Sequence, residues 1–456
     1  MTENQSRRAF LKRTAAFGLM GGAGSFVTNL AAIGEAAAAT APDYKALVCV
    51  FMFGGNDNGN TLVPYDPTSY ASYATLRQGL ATARTSLAPT LLNPATALPG
   101  GLQFALAPAL APLLPVFDAG KMAVMLNTGT LIEPTTKSQY QAKSVRLPPK
   151  LFSHNDQTSY WQAGAAEGAT TGWGGRIGDL FQSGNGTSTL TCINAAGNAV
   201  YLSGQTAVQY AVSTSGPIAL NGNRSTLFGS TTASAALKSI IAAPRANLIE
   251  NEHAKISKRS LDAYSQVTSA LAAAPAMTDL FPAGNSLADQ LRVVARLISV
   301  GSELGAKRQV FFVSIGGFDN HSALNATHPV LLGRVAGAMR AFYDAMVGMG
   351  ISDKVTAFTA SDFGRTLQVN GDGSDHGWGA THFAVGGAVN GRKFYGTAPV
   401  LANNGPDDVG QGRLVPTTSV DQYAATLARW FGVADSDLAT VLPNIGNYTT
   451  KNLGFV

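Results

Sequence analysis

Residues 46–60, ALVCVFMFGGNDNGN, join an uninterrupted apolar run to a polar, glycine-rich turn. A continuous run of this length is typical of a strand that is buried on both faces of a parallel sheet. Three further runs share the pattern, and each leads into a polar or glycine-rich turn: MAVMLN (122–127), QVFFVSI (309–315) and KVTAFTA (354–360). Together the four runs predict a mostly parallel central sheet.

Amphipathic helical patterns accompany these runs over residues 286–305, 329–350 and 419–433, each with Ser or Asp near its start. Alternation of strand, turn and helix is typical of an α/β domain. We therefore predict an α/β fold, with a mostly parallel central sheet flanked by helices, over residues 43–456. The stretch at about 185–285 is richer in Ser, Thr, Ala and Asn, and we predict that it is an insertion or cap.

The composition limits the classes of function. With 456 residues and 45% hydrophobic content, the chain can bury a sizeable core. Its formal net charge of +5 is weak and dispersed, which argues against a nucleic-acid partner. The cysteines, Cys49 and Cys192, are too few for a disulfide framework and lack the spacing of a thiolate zinc site.

The N-terminal segment 1–38 is predicted to be a twin-arginine export signal. The segment SRRAFLK (6–12) fits the twin-arginine pattern, and a mildly hydrophobic Gly/Ala-rich stretch leads to small residues suited to cleavage near Ala38 or Ala39. Glycines and Asn29 interrupt the apolar run, so a stable membrane span after cleavage is not expected. These features predict a partner in the twin-arginine export machinery and a periplasmic or secreted location.

Acidic and imidazole side chains follow three of the four predicted strands and recur in the glycine-rich stretch 360–383. They are Asp57, Asp319, His321, Asp362, Asp375, His376 and His382. In open parallel sheets, ligands bind beyond the carboxyl ends of the strands. Oxygen and imidazole ligands without thiolate predict one or two divalent ions: Zn, Mn, Fe, Mg or Ca. The alternative is ordinary turn chemistry, in which Asp caps helices or closes turns and His satisfies a buried carbonyl.

A hydroxyl nucleophile has two candidates. Ser153 lies in LFSHNDQTSYWQAG (151–164), directly before a helical pattern whose N-terminus would stabilise an anion beside it. An ordinary N-cap serine has the same sequence context, and Thr61 is the competing hydroxyl. The neighbouring His154 would orient substrate, ligate a metal or lie free at the surface.

Several motifs together resemble the uncharacterised bacterial family called domain of unknown function 1501. They are FMFGGNDNGNTLVPYD, SHNDQTSYWQAG, RQVFFVSIGGFDNHS, VTAFTASDFGRTLQVNGDGSDHGWGATHF, GGAVNGRKFYG and TTSVDQYAATLARWFGV. The resemblance spans about residues 43–455. That family is similar in its core to the alkaline phosphatase and sulfatase superfamily, so the resemblance implies an alkaline phosphatase-like fold. It also implies roles for particular residues: Asp57 as first metal ligand, Ser153 as nucleophile, Asp319 and His321 as a second pair, Asp362 as the late strand-end acid, and His376 or His382 as the closing histidine.

The activity implied by this resemblance is metal-dependent hydrolysis of an anionic ester, a phosphate or a sulfate. Ser153 would attack, and Arg365 would bind the anionic group. Many superfamily members have Asp-His where this chain has Asp362-Phe363, so that ligand is either lost or supplied by His376. The other interpretation is a non-catalytic exported binding or structural protein that keeps the fold and at most one structural metal.

Overall fold

The computed structural model describes residues 43–219 and 225–456, so the predicted export signal over residues 1–38 lies outside them. Within this part of the chain the strands are β1 Lys45–Met52, β2 Leu62–Pro64, β3 Phe104–Leu106, β4 Met122–Gly129, β5 Cys192–Asn194, β6 Gln209–Ser213, β7 Gly216–Pro217, β8 Arg308–Ile315, β9 Val355–Ser361, β10 Arg365–Asn370, β11 Gly373–His376, β12 Ala380–Gly386, β13 Lys393–Tyr395 and β14 Thr418–Ser419. The four apolar runs are therefore confirmed as strands β1, β4, β8 and β9.

The α-helices of the described residues are α1 Pro67–Arg77, α2 Arg84–Leu87, α3 Leu114–Asp118, α4 Lys137–Ala142, α5 His154–Ala163, α6 Trp173–Phe181, α7 Thr231–Ala242, α8 Leu248–Ala273, α9 Ser286–Ser299, α10 Leu324–Gly348, α11 Val420–Phe431 and α12 Leu438–Val441. All three predicted helices are present as α9, α10 and α11. α10 begins five residues before the predicted start, with Pro329 inside it. None of these helices combines the length and apolar character needed to cross a bilayer.

The main sheet is mostly parallel, as predicted. β1 lies at its centre and pairs in parallel with β8 on one side and β9 on the other. Beyond β8 come β5 and β6, both parallel, and then β7, which is antiparallel to β6. Beyond β9, strand β12 is antiparallel to both β9 and β4, and β13 and β14 pair in parallel with β4. Helices cover both faces.

Alternate residues of β1 enter two separate cores, which explains why its sequence is apolar at every position. Ala46, Val48 and Val50 pack in the core that includes α9 and α10. Leu47 and Cys49 pack in the core that includes α6 and α11. Both cysteines of the chain are buried and free, consistent with a structural role.

The stretch 360–383 is more regular than the loop that its glycines suggest. It contains the antiparallel hairpin β10–β11 and the first residues of β12. Burial on all sides stabilises β12, because every residue of that strand is buried between β9 and β4. The stretch therefore holds polar side chains on fixed backbone.

The segment predicted to be an insertion or cap, at about 185–285, has two structural parts. Its first part supplies β5, which extends the main sheet beside β8. Its later part forms α7 and α8, which contain several exposed apolar residues, including Leu248 and Ile249. The cap assignment stays a prediction.

Candidate metal centre

Five acidic or imidazole side chains meet at the carboxyl ends of the central strands. Asp319 and His321 follow β8, Asp362 follows β9, His376 ends β11, and His154 is the first residue of α5. The β10–β11 hairpin pairs Arg365 with His376 and so brings the histidine back over the strand ends. The structure thus brings together four of the six residues predicted as metal ligands.

Three potential ligand atoms converge at the core of this cluster. Nε2 of His321 lies 2.9 Å from Nε2 of His376. Oδ1 of Asp319 lies 3.0 Å from the first nitrogen and 3.2 Å from the second. These separations are close to those between neighbouring ligands of a tetrahedral zinc ion, whose bonds are about 2.0–2.2 Å long.

Hydrogen bonds on the far side of each imidazole decide which nitrogens carry protons. Nδ1 of His376 lies 2.7 Å from the carbonyl oxygen of Phe152, which can only accept. Nδ1 of His321 lies 3.1 Å from a carboxylate oxygen of Asp375. With these partners, the neutral form of each ring carries its proton on Nδ1 and turns the lone pair of Nε2 toward the other ring. Such outer partners are typical of metal-bound histidines, and two facing lone pairs beside a carboxylate are arranged to share a cation, either a metal ion or a proton.

The charges around Asp319 keep it ionised. Partial burial acts to raise its pKa, but the hydrogen bond and the charge of Arg365 outweigh this effect, so the pKa lies below its usual value. Partial burial also lowers the pKa of His376, which favours the neutral form that a metal requires. The side chain of Asp319 is 45% exposed, so the carboxylate is accessible from solvent.

His154 and Asp362 form a pair at the edge of the cluster. Nδ1 of His154 lies 2.6 Å from Oδ2 of Asp362, and this hydrogen bond raises the histidine pKa. Nε2 of His154 lies 3.4 Å from Oδ2 of Asp319 and has no hydrogen-bond partner among the described residues. His154, Asp319 and His376 each offer one ligand atom, and these three atoms lie within 4.8 Å of one another. His154 is therefore a further candidate ligand.

Phe363 directly follows Asp362 and lies between two of the imidazoles. Its buried ring lies 4.8 Å from the ring of His154 and 4.7 Å from that of His376, measured between centroids. The phenyl ring therefore holds two imidazoles in place instead of binding a metal.

Arg365 lies behind the cluster. Its buried guanidinium donates to Oδ1 of Asp319 at 2.9 Å, to the carbonyl oxygen of Gly54 at 3.0 Å, and to Ser374. These donors are directed at protein acceptors, and its side chain has no exposed surface. In this structure Arg365 orients Asp319, while the binding of an anionic group stays a prediction.

Two predicted ligands lie apart from the cluster. Asp57 forms a fully buried ion pair with Arg77 of α1, so a protein cation takes the place of a metal there. His382 lies within β12, where its ring contacts Trp161 and Tyr423. Neither residue has a hydrogen bond or ion pair to the cluster within the described part of the chain.

The two candidate nucleophiles are engaged elsewhere. Ser153 is the N-cap of α5, and its hydroxyl donates to Asp156 at 2.9 Å. Thr61 is buried and donates to the carbonyl oxygen of Asp57 at 2.7 Å. The residue next to Ser153, His154, is the one that reaches the cluster. From sequence its role was open, and the only signal was its position between a serine and a helix start.

The fold and the cluster define an α/β protein with a candidate metal centre at the carboxyl ends of its parallel strands. The chain belongs to the family described as "Protein of unknown function (DUF1501)", whose sequence model matches residues 44–445. This membership confirms the resemblance drawn from the motifs.

Similar solved structures include Ps i-CgsB in complex with k-i-k-neocarrahexaose, which is 10% identical with a TM-score of 0.33 and covers 87% of this chain and 74% of its own. They also include a Bacteroides thetaiotaomicron protein solved in connection with the metabolism of multiple glycosaminoglycans, which is 11% identical with a TM-score of 0.35 and covers 86% of this chain and 74% of its own. No curated protein matches the sequence.

Proposed function

We propose that the protein is an exported, metal-dependent hydrolase of phosphate or sulfate esters. The observation that carries the proposal is the convergence of Nε2 of His321, Nε2 of His376 and Oδ1 of Asp319 within 3.2 Å of one another. In the neutral form of each histidine the outer hydrogen bond favours the proton on the far nitrogen, so the three atoms would offer lone pairs to one point. Asp319, His321 and His376 would hold the ion, with His154 as a further ligand or a neighbour.

A divalent cation held there would supply Lewis-acid polarisation of an ester oxygen. The protein's own contribution includes a histidine and carboxylate pair beside that point. Asp362 holds the proton of His154 on Nδ1. Where Nε2 does not itself bind the ion, it would accept a proton from the attacking group or, once protonated, donate one to the leaving group. Arg365 keeps the Asp319 carboxylate in position. Attack by Ser153 would require its hydroxyl to turn away from Asp156.

Metal analysis and ester turnover together test the proposal. Wild-type protein purified after export should contain about one equivalent of a divalent transition metal, and His376→Ala should lose both the metal and about a hundredfold or more in kcat/KM on phenyl phosphate or phenyl sulfate. His253→Ala is a matched control, because His253 is an exposed histidine of α8 and should change neither quantity. Folded wild-type protein that binds no metal would contradict the proposal.

A second candidate is a non-catalytic exported binding protein with one structural ion. This candidate is favoured because two residues implied to act in catalysis already have partners within the protein. Ser153 donates a hydrogen bond to Asp156, and Arg77 neutralises Asp57. That protein would bind metal and gain thermal stability from it, but would turn over neither phenyl ester. Ser153→Ala would then leave the metal content unchanged and the ester turnover absent, as in wild type.

A further inference from the structure

A cleft of about 570 Å³ opens directly beside the candidate metal centre. His154, Asp319 and Asp362 form the wall that the cleft shares with the centre. The opposite walls come from α5, from the chain that follows it, and from the loop after β5. A substrate whose ester lies at the centre would place the rest of its structure in this cleft.

The cleft offers hydrogen-bonding groups that the protein leaves unused. Four polar side chains on its wall have no hydrogen bond or ion pair to any described residue: Asn155, Thr158, Glu167 and Asn198. Two others on the same wall are engaged, since Ser159 donates to the carbonyl oxygen of Ala166 and Gln162 accepts from the backbone of Tyr201. The free set combines amide donors and acceptors, a hydroxyl and a carboxylate acceptor. Such a set matches a ligand with several hydroxyl groups.

An aromatic ring provides an apolar surface in the same cleft. Phe53 follows β1 and is half-buried, with its ring 4.5 Å from that of Phe51 between centroids. Phe53 is also one of the residues that line the cleft. A pocket that pairs one apolar face with a few placed polar groups suits a ring that has a C–H face and hydroxyl edges.

The charge of the cleft argues against polyanionic groups. Among the residues that the structure describes, no Lys or Arg lines the cleft, and Glu167 adds a negative charge away from the centre. A nucleotide tail or an acidic polymer would meet this carboxylate without a compensating cation. The part of the substrate beyond its ester is therefore expected to be uncharged.

We propose that this cleft binds a saccharide, so that the substrate is a phosphate or sulfate monoester carried on a sugar. The ester half of this inference rests on the proposed function. The saccharide half rests on Asn155, Asn198, Thr158, Glu167 and the ring of Phe53. The ester would lie toward Asp319 and the sugar hydroxyls toward α5.

Equilibrium binding to the metal-loaded mature chain tests the sugar site, because the bound cation offsets the carboxylates of Asp319 and Asp362 beside which the ester would lie. The probes are a galactose sulfate and a galactose phosphate, compared with phenyl sulfate and phenyl phosphate by titration calorimetry. We expect at least one galactose ester to bind about tenfold more tightly than its phenyl counterpart, and the sulfate and phosphate arms report which ester is preferred. The double variant Asn155→Ala with Asn198→Ala should raise the Kd of the galactose ester about tenfold and leave phenyl-ester binding unchanged.

Asn93→Ala is the matched control, because Asn93 is an exposed asparagine whose side chain lies outside the cleft and has no partner among the described residues. It should leave every Kd unchanged. Equal affinity for galactose and phenyl esters, or a galactose-ester Kd unmoved by the double variant, would overturn the saccharide inference. If the protein hydrolyses phenyl esters but shows no preference for sugar esters, the saccharide inference is overturned and the hydrolase proposal stands. Sugar binding that the double variant weakens, without turnover of any ester, supports it and contradicts the hydrolase proposal.

Discussion

At the scale of single residues, the function of an acid or a histidine depends on a partner that the sequence does not reveal. Asp57 and Asp319 both follow central strands of the sheet. Arg77 neutralises Asp57 in a fully buried ion pair. Asp319 also forms an ion pair with an arginine, Arg365, but its carboxylate remains 45% exposed to solvent. His376 and His382 are six positions apart, yet one faces the centre and the other is sealed in β12. Their strand assignments, rather than their residue types, separate them.

The pH dependence of folding should report the buried state of His382. Burial lowers its pKa to about 3, so only the neutral ring is stable in the folded chain. Because an unfolded histidine has a pKa of about 6.5, this stabilisation is complete above that pH and is lost as the pH falls toward about 3. His382→Phe keeps an aromatic ring beside Trp161 and Tyr423 but removes the titration. The loss of unfolding free energy between about pH 7.5 and about pH 5 should shrink by up to about 2 kcal/mol.

Urea unfolding curves at the two pH values measure this difference. Part of the slope should remain, because burial also lowers the pKa of His328, to about 4. His253→Phe, at an exposed position, should leave the slope unchanged. A slope for His382→Phe equal to that of wild type would show that this ring does not titrate from a buried state.

At the scale of elements, the position of α6 beside a loop that borders the cleft is set by close backbone approach as much as by amphipathic pattern. α6 carries Gly174, Gly175 and Gly178 on the side that faces its neighbours, and the loop 200–204 runs directly against it. A Cβ atom on Gly175 would overlap the backbone of Ser203 and Gly204. The glycines therefore fix the distance between α6 and a loop that borders the cleft.

Two glycine-to-alanine variants should change stability in opposite directions. Gly175→Ala forces the loop away from α6 and should lower the free energy of unfolding by about 1–3 kcal/mol or more. Gly333→Ala lies in α10, where an added Cβ would meet no described atom within 4 Å outside the nearby backbone of its own helix. This variant should raise the free energy of unfolding by about 0.4–1 kcal/mol through helix propensity and reduced freedom of the unfolded chain. Chemical denaturation measures the free energy of unfolding of both variants and of wild type. A neutral Gly175→Ala would mean that the loop moves without cost.

At the scale of the whole molecule, the sequence predicts the sheet better than it predicts the site. Continuous apolar runs identify β1, β4, β8 and β9 because both faces of each strand are buried. β12 escapes detection because Thr381 and His382 interrupt its apolar pattern although both are buried. Strand-end logic correctly groups Asp319, His321, Asp362 and His376. It also includes Asp57, since nothing local shows that Arg77 lies against it.

Export is the other property that belongs to the whole chain. We propose that residues 1–38 direct the folded protein through the twin-arginine route. Replacing Arg7 and Arg8 together with lysine keeps the charge but removes the pair, so the precursor should accumulate in the cytoplasm. Immunoblots of cell fractions measure the distribution, and Arg13→Lys serves as the control that should be exported normally. Unchanged export of the double variant would point to a different route.

The separation of the cluster residues along the chain has a consequence for metal acquisition. His154 and Asp362 are 208 positions apart in the sequence, so the metal centre forms only once the chain has folded. An unfolded chain in transit would have no ion to carry, whereas a folded one would leave the cytoplasm with the ion it met there. Availability in that compartment would then outweigh the intrinsic order of metal affinities. For a protein exported in this way, the identity of the bound ion would depend on the compartment in which the chain folded.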